Sequence, residues 1–298
     1  MGESRAYGLR EGEPLPEAIG RSARGRIDHA IDELRGRTDS TPVEAVHEAR
    51  KDMKKIRALL RLARGELGRQ TYDRENACFR DAARELAGQR DADVMLETLD
   101  RLTYLPAGQA WEVRKRIQAD RERNGGDGDR TAAARSAVAI LKEARGRVSH
   151  WRLERDSFDA LAKGLEKTYR RGRREFEAAM EEPTVESLHE WRKRVKHLWY
   201  HHTLLRSLWP PVMEVMGDEA HALSDRLGDD HDLAVLADWV EQHGGAGPEL
   251  RDAVDRRRGE LQAEAFALGA RVYAEKPKAY TKRLRGLWAA REHKVRAP

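Results

Sequence analysis

Residues 46–64 read V-H-E-A-R-K-D-M-K-K-I-R-A-L-L-R-L-A-R, and residues 188–198 read L-H-E-W-R-K-R-V-K-H-L. His47, Glu48, Arg50, Lys51 and Lys54 thus return 142 residues later as His189, Glu190, Arg192, Lys193 and Lys196. Apolar positions return with them: Val46 as Leu188, Met53 as Val195, Ile56 as Leu198. The lead-in recurs too, Val43-Glu44 against Val185-Glu186. Two helices of one pattern at this separation predict a duplicated domain. The period is far longer than the roughly 20–50 residues of a solenoid repeat, so two helical bundles side by side are expected.

Each helix is amphipathic in an unusual sense. At about 100° per residue, Val46, Ala49, Met53, Ile56, Leu60 and Ala63 share one side, the spacing of a core stripe. His47, Arg50, Lys51, Lys54, Lys55, Arg57 and Arg61 gather on a second arc, with Glu48 and Asp52 outside it. A solvated face normally mixes signs, because like charges three or four apart repel. An arc of one sign calls for an anionic partner. The charge count agrees: the chain is net +5, yet 47–64 holds seven bases against two acids and 189–206 five against one. Those two windows carry +9 and leave the remainder at −4. Positive charge concentrated in this way is the footprint of a polyanion site.

With 298 residues there is length for a large core. Apolar residues are 39% and periodic, so the chain folds despite its 37% charged residues. The abundance of Ala, Leu, Arg and Glu favours helix, and no alternating β-branched run predicts a strand. The expected fold class is all-α. A single cysteine, Cys78, excludes a disulfide framework and a cysteine-rich zinc site. No apolar signal core and no membrane-length apolar run occur, which predicts a cytoplasmic protein.

Residues 1–13, polar and Gly-rich, are expected to be flexible, with a first half over 14–150 and a second over 151–298. In the first half, a helix from Pro14 to Arg35 turns Ile19, Ile27, Ile31 and Leu34 inward. Ser40 or Thr41 caps the basic helix, Pro42 suits its first turn, and it runs to Gly68. Helices follow over 72–87, 92–102, 108–123 and 131–150, with a break at Gly88-Gln89-Arg90-Asp91. In the second half, helices are expected over 156–181 and 185–208, the latter stopped by Pro210-Pro211. The next helix ends near Leu227, where Gly228-Asp229-Asp230-His231-Asp232 breaks it and Asp232 caps a short helix to Gln242. A long helix over 248–274 and a last one from Pro277 complete the order. Trp191, Trp199, Trp209, Trp239 and Trp288 lie on apolar stripes and are expected in the core.

The motif H-E-x-R-K-x-hydrophobic-K, present twice and each time followed 43–44 residues later by an Asp after a Gly-containing break, resembles the CHAD family, the conserved histidine α-helical domain. The resemblance covers about residues 14–290. It implies two four-helix-type bundles related by a pseudo-twofold axis around a basic central channel that binds inorganic polyphosphate. It places His47, Arg50, Lys51, Lys54, His189, Arg192, Lys193 and Lys196 along the channel. Arg57 and Arg61 extend the first copy, where the second has Trp199 and Thr203, so the first copy is the richer in cations. Arg90 and His231, in the two matched breaks, are additional candidates. The strand motif E-x-E-x-K of the triphosphatase domain that many members also carry is not found here, and a stand-alone member is expected.

These residue types suit a flexible string of anions. His47 to Arg61 forms a ladder of roughly 20 Å along a helix, in which Arg offers a planar fork and Lys a mobile point charge. A histidine protonated beside a polyanion adds donors. Glu48 and Glu190 are read as orienting neighbouring bases. His197, His201 and His202 lack a third ligand at suitable spacing and are read as structural. In the runs 170–174 and 256–258 most arginines are read as solvated, with one or two reaching the channel. No cofactor or metal set is expected. Non-catalytic polyphosphate binding, with granule association as a corollary, therefore leads. Nucleic-acid backbone binding is the first alternative, though no reading motif occurs. A metal-dependent phosphohydrolase would need Asp91 and Asp232 as its carboxylates.

Overall fold

The computed structural model describes residues 7–86, 91–102, 104–124, 127–245 and 247–296. Among them all regular structure is helical, and no helix is long and apolar enough to cross a membrane. The elements are α1 (Leu15–Leu34), α2 (Pro42–Leu62), α3 (Arg64–Glu85), α4 (Asp91–Asp100), α5 (Ala107–Asn124) and α6 (Asp127–Arg147). After them come α7 (Asp159–Glu181), α8 (Val185–Leu204), α9 (Pro210–Gln242), α10 (Pro248–Val272) and α11 (Pro277–Arg296).

Local chemistry explains most boundaries. Thr41 accepts from the Glu44 amide while the Glu44 carboxylate takes the Thr41 amide at 2.8 Å, a reciprocal cap with Pro42 in the first turn. Thr184 and Ser187 do the same for α8. Gly68 has φ 74°, a value that favours glycine, and it kinks α3 between Leu67 and the main body of the helix.

α1, α2, α3 and α6 pack in a ring, each against two of the others. α7, α8, α9 and α10 form a second group, with α11 against α7. The groups meet where α2 lies on both α7 and α8. Ala49, Met53, Ile56, Leu60 and Ala63 are all fully buried along the expected stripe, as are Val195 and, nearly so, Leu188 and Leu198. A second, smaller core joins Met95, Leu99 and Leu102 around α4 and Val113 and Ile117 of α5 to Leu236 of α9 and Leu250 and Leu261 of α10. Helices from early and late in the chain thus share one apolar cluster.

Several sequence expectations need correction. The predicted break at 228–232 does not occur: α9 runs unbroken through it. Gly and Asp are poor helix formers, but partners on other elements override that preference. Gly228 sits under the Arg192 guanidinium, where a Cβ would come within 2.7 Å of Nη2. Asp230 is buried and accepts from Arg258 Nε at 3.0 Å and Gln262 at 2.8 Å. Asp229 accepts from Arg101 at 3.2 Å. Asp232 is therefore no cap. The basic helix α8 ends at Leu204, and Pro210 and Pro211 open α9 instead of stopping α8.

The expected flexibility of residues 1–13 fails from Tyr7 on. Tyr7 is 2% exposed, its hydroxyl donates to the Lys55 carbonyl at 3.3 Å, and the Leu9 amide donates to the Leu204 carbonyl at 3.0 Å. These two apolar side chains anchor an otherwise polar segment; residues 1–6 lie outside the described residues. Trp191 and Trp288 are core residues and Trp199 and Trp239 are half-buried, whereas Trp209 is 52% exposed at the start of α9 and is not a core residue.

Candidate anion-binding site

The two basic helices come together. His201 of α8 is fully buried, and its Nε2–H donates to the Ala58 carbonyl of α2 at 2.9 Å. Burial holds its pKa down to about 4, so it is a neutral strut. One turn away, Arg61 Nε donates to His197 Nε2 at 3.1 Å, and burial with Arg61 close by keeps that ring neutral as well. His202 lies between the Met216 carbonyl and the Tyr280 hydroxyl, 3.0 Å from each. All three histidines are structural.

This crossing sets Lys54 of α2 close to Lys196 of α8. The Lys196 ammonium is depressed to about 7, first by burial and then by Arg192 and Lys54, against the pull of Asp225 and Asp232. His189 stacks on His231 with ring centroids 4.4 Å apart, joining α8 to α9. Burial, His231, Lys193 and Arg192 lower His189 to about 4, so in the free protein it is neutral rather than a double donor. Its Nδ1 is buried without a hydrogen-bond partner among the described residues. The structure thus brings Lys54, His189, Arg192, Lys196 and His231 into one neighbourhood.

Other members of the expected set are engaged locally. Arg50 donates to the Leu86 carbonyl at 3.0 Å, closing the C-terminus of α3. Lys51 lies 3.3 Å from Glu48, which also stands 3.9 Å from His47. Lys193 pairs with Glu190, which holds Arg194 at 3.2 Å. Glu48 and Glu190 therefore orient bases as expected, but the arc of one sign drawn from the helical wheel is interleaved with acids in the folded protein. Lys55 leaves that arc altogether: it is 5% exposed, turned toward Tyr7. Asp52 is buried against Arg26 at 3.0 Å and His29 at 2.7 Å, a structural pair. Arg90 lies outside the described residues, as does the side chain of Asp91.

Further along α2 the cations outnumber the acids, of which Asp81 feels Arg57. Arg57 donates to Asn76 at 3.2 Å, and burial together with Arg61, Arg80 and Arg84 lowers it to about 10. Arg61 also donates to the Tyr72 hydroxyl at 2.8 Å. Beyond it a cleft opens between α2, α3, α7 and α8, lined by Arg61, Arg64, Lys167, Arg171 and Arg194 and by no carboxylate. Sequence reasoning passed over Arg64, Lys167 and Arg194. The available signal was Gly164, Lys167 and Arg171 at spacings of three and four, one face of α7. Of the run 170–174, Arg170, Arg173 and Arg174 pair with Glu166, Glu177 and Glu175. Only Arg171 of that run reaches the cleft.

A larger cavity of about 340 Å³ between α4, α9 and α10 differs in kind, because its cations are already matched: Arg101 to Asp229 and Arg257 to Glu260. Among the described residues no three His, Cys, Asp or Glu side chains gather as a metal site.

The sequence model of the CHAD domain matches residues 21–241. The chain belongs to the CHAD domain family. No curated protein matches it. Among solved structures it is similar to the CHAD domain of the plant Ricinus communis, with TM-score 0.62, 20% identity and 96% of each chain covered. It is also similar to PptA from Streptomyces chartreusis, with TM-score 0.54 and 14% identity over 88% of this chain and 98% of that one. At these identities the likeness is one of fold. It places this CHAD chain's paired basic helices in a known helical framework.

Proposed function

We propose that this CHAD protein binds inorganic polyphosphate, without turning it over, in a basic channel where α2 and α8 meet. The observation that carries the reading is that α2 packs on α8 with Lys54 near enough for its charge to depress Lys196. The two lysines are the same position of the repeated motif, 142 residues apart in sequence, and equivalent positions meet across a twofold axis. The halves 14–150 and 151–298 are then pseudo-symmetric copies facing one channel. Gathering Lys54 and Arg192 around Lys196 disfavours the charged form of Lys196 until an anion arrives. A flexible chain of anions can satisfy several such groups at once and engage both helices, so that the second contact is intramolecular. The corresponding cellular setting is cytoplasmic, on polyphosphate granules.

The test is a competition titration of polyphosphate against double- and single-stranded nucleic acid at fixed salt, repeated over a salt series. Polyphosphate should win, with affinity falling steeply as salt rises because counterions are released. Preference for nucleic acid, or an affinity insensitive to salt, would overturn the reading. Incubation with polyphosphate and Mg²⁺ or Mn²⁺ should release no phosphate. Release that disappears in Asp91→Ala or Asp232→Ala would make the protein a hydrolase.

A further inference from the structure

The acid-free cleft at the far end of α2 has a built geometry of its own. Its floor is the contact of α7 with α2: Gly164 lies so close that a Cβ there would run into the Leu62 carbonyl oxygen. Its wall is Tyr72, 6% exposed, with the Arg64 guanidinium over the ring at 4.4 Å. The Tyr72 hydroxyl accepts from Arg61, which leaves its own hydrogen to donate. Lys167 and Arg171 stand exposed on α7, and Thr168 lies in the lining beside them.

Charge distinguishes this cleft from the rest of the surface. Neither Arg64, Lys167 nor Arg171 has a carboxylate partner among the described residues, whereas most arginines elsewhere on α7 and α10 do. Glu190, on the helix that supplies Arg194, already holds Lys193 and Arg194. Crowding is felt by the bases themselves. Burial, and then Arg194 and Arg171 against the pull of Tyr72, lower Arg61. Slight desolvation, and then Arg171 and Arg64, lower the exposed Lys167.

A cationic cleft closed on one side by a helix contact differs in its demands from an open track. The contact between Gly164 and Leu62 leaves no room for a chain to pass between α7 and α2, so a chain entering in that direction ends there. Interior units of a polyphosphate carry one negative charge each. A terminal phosphate has a second ionisation with pKa of about 6, as phosphate monoesters do, and is close to a dianion at neutral pH. It also offers three oxygens to donors arriving from different directions, which suits guanidinium forks and hydroxyls.

We propose that this cleft is a terminal-phosphate subsite, in which Arg61, Arg64, Lys167, Arg171 and Arg194 hold a dianionic tetrahedral phosphate. That phosphate is the end of a polyphosphate chain or a free ortho- or pyrophosphate. The chain-end form rests on the polyphosphate reading above; the oxyanion chemistry does not.

The experiment uses polyphosphate of one defined length, with native ends and with both terminal phosphates converted to phosphoramidates, and pyrophosphate alone. Each is titrated calorimetrically into the wild type, Lys167→Ala/Arg171→Ala and Lys54→Ala/Lys196→Ala. Both α7 side chains are exposed, so the first variant keeps its core, and its melting temperature verifies this. Blocking the ends should weaken wild-type binding on the order of tenfold, as expected for losing charge-assisted hydrogen bonds. It should not matter to the α7 variant. Pyrophosphate should bind the wild type and the Lys54/Lys196 variant but not the α7 variant. End-independent polyphosphate binding, with pyrophosphate indifferent to the α7 substitutions, would reject the subsite while leaving polyphosphate binding intact. Pyrophosphate lost in the α7 variant with no effect of end-blocking would reject the chain end as the source and keep a free phosphate. Pyrophosphate in the cleft without any long-chain binding would reject the polyphosphate reading and keep the subsite.

Discussion

Lys196→Met should stabilise the free protein and weaken its hold on polyphosphate. In the fold Lys196 is half-buried beside Arg192 and Lys54, and its pKa falls from the ordinary 10.5 to about 7. At about 1.4 kcal/mol per pH unit, keeping this ammonium charged below pH 7 costs the fold at most about 5 kcal/mol. Water reaching the half-buried group screens this to about 1–3 kcal/mol. Met preserves the stem's volume and removes the charge, and Asp225 retains His221 at 2.7 Å as a partner. The sign follows from proton counting. Between pH 7 and 10.5 the unfolded chain binds more protons at this residue than the folded one, so the penalty is complete below 7 and fades as pH rises toward 10.5. Urea denaturation in phosphate-free buffer should show the variant more stable by about 1–3 kcal/mol near pH 6.5, with the gap nearly closed near pH 9.5. A variant no more stable at the lower pH, or a gap that does not narrow, would refute the like-charge account of this site.

Three further outcomes are expected. Polyphosphate binding at about pH 8 should take up protons, because an anion beside Lys196 restores its charge; calorimetry in buffers of different ionisation enthalpy measures this, and Lys196→Arg should abolish most of the uptake. Gly164→Ala should destabilise by about 1–3 kcal/mol or more, because the new methyl group meets the Leu62 backbone, which cannot yield as a flexible side chain would; thermal unfolding is the measurement. Asp52→Ala should destabilise by about 3–5 kcal/mol by removing the buried carboxylate that Arg26 donates to. The Asp52 hydrogen bond is the largest cause of a raised His29 pKa, a contribution present below the unfolded value and lost as pH rises through the raised one. That slope should vanish in the variant.

Much was legible in the chain itself. The repeat of H-E-x-R-K, the period of Val46, Ala49, Met53, Ile56 and Leu60, and the Thr41-Pro42 start are local facts. Local facts decide where helices lie and which residues share a face, because helix geometry is the same in every protein. The family membership followed from the same repeated motif. What a face looks at is a different matter, since it depends on elements far away in sequence. Adjacent lysines show this: Lys54 lies near enough to Lys196 to depress it, whereas Lys55 is buried toward Tyr7. Residues 228–232 carry every local sign of a break, and Arg192 of α8, Arg258 of α10 and Arg101, just past the end of α4, hold them in one helix. The cationic cleft was invisible for the same reason. Arg61, Arg64, Arg194, Lys167 and Arg171 belong to four helices, and it is the methyl-free contact at Gly164 that lets α7 approach α2 closely enough to make them one site.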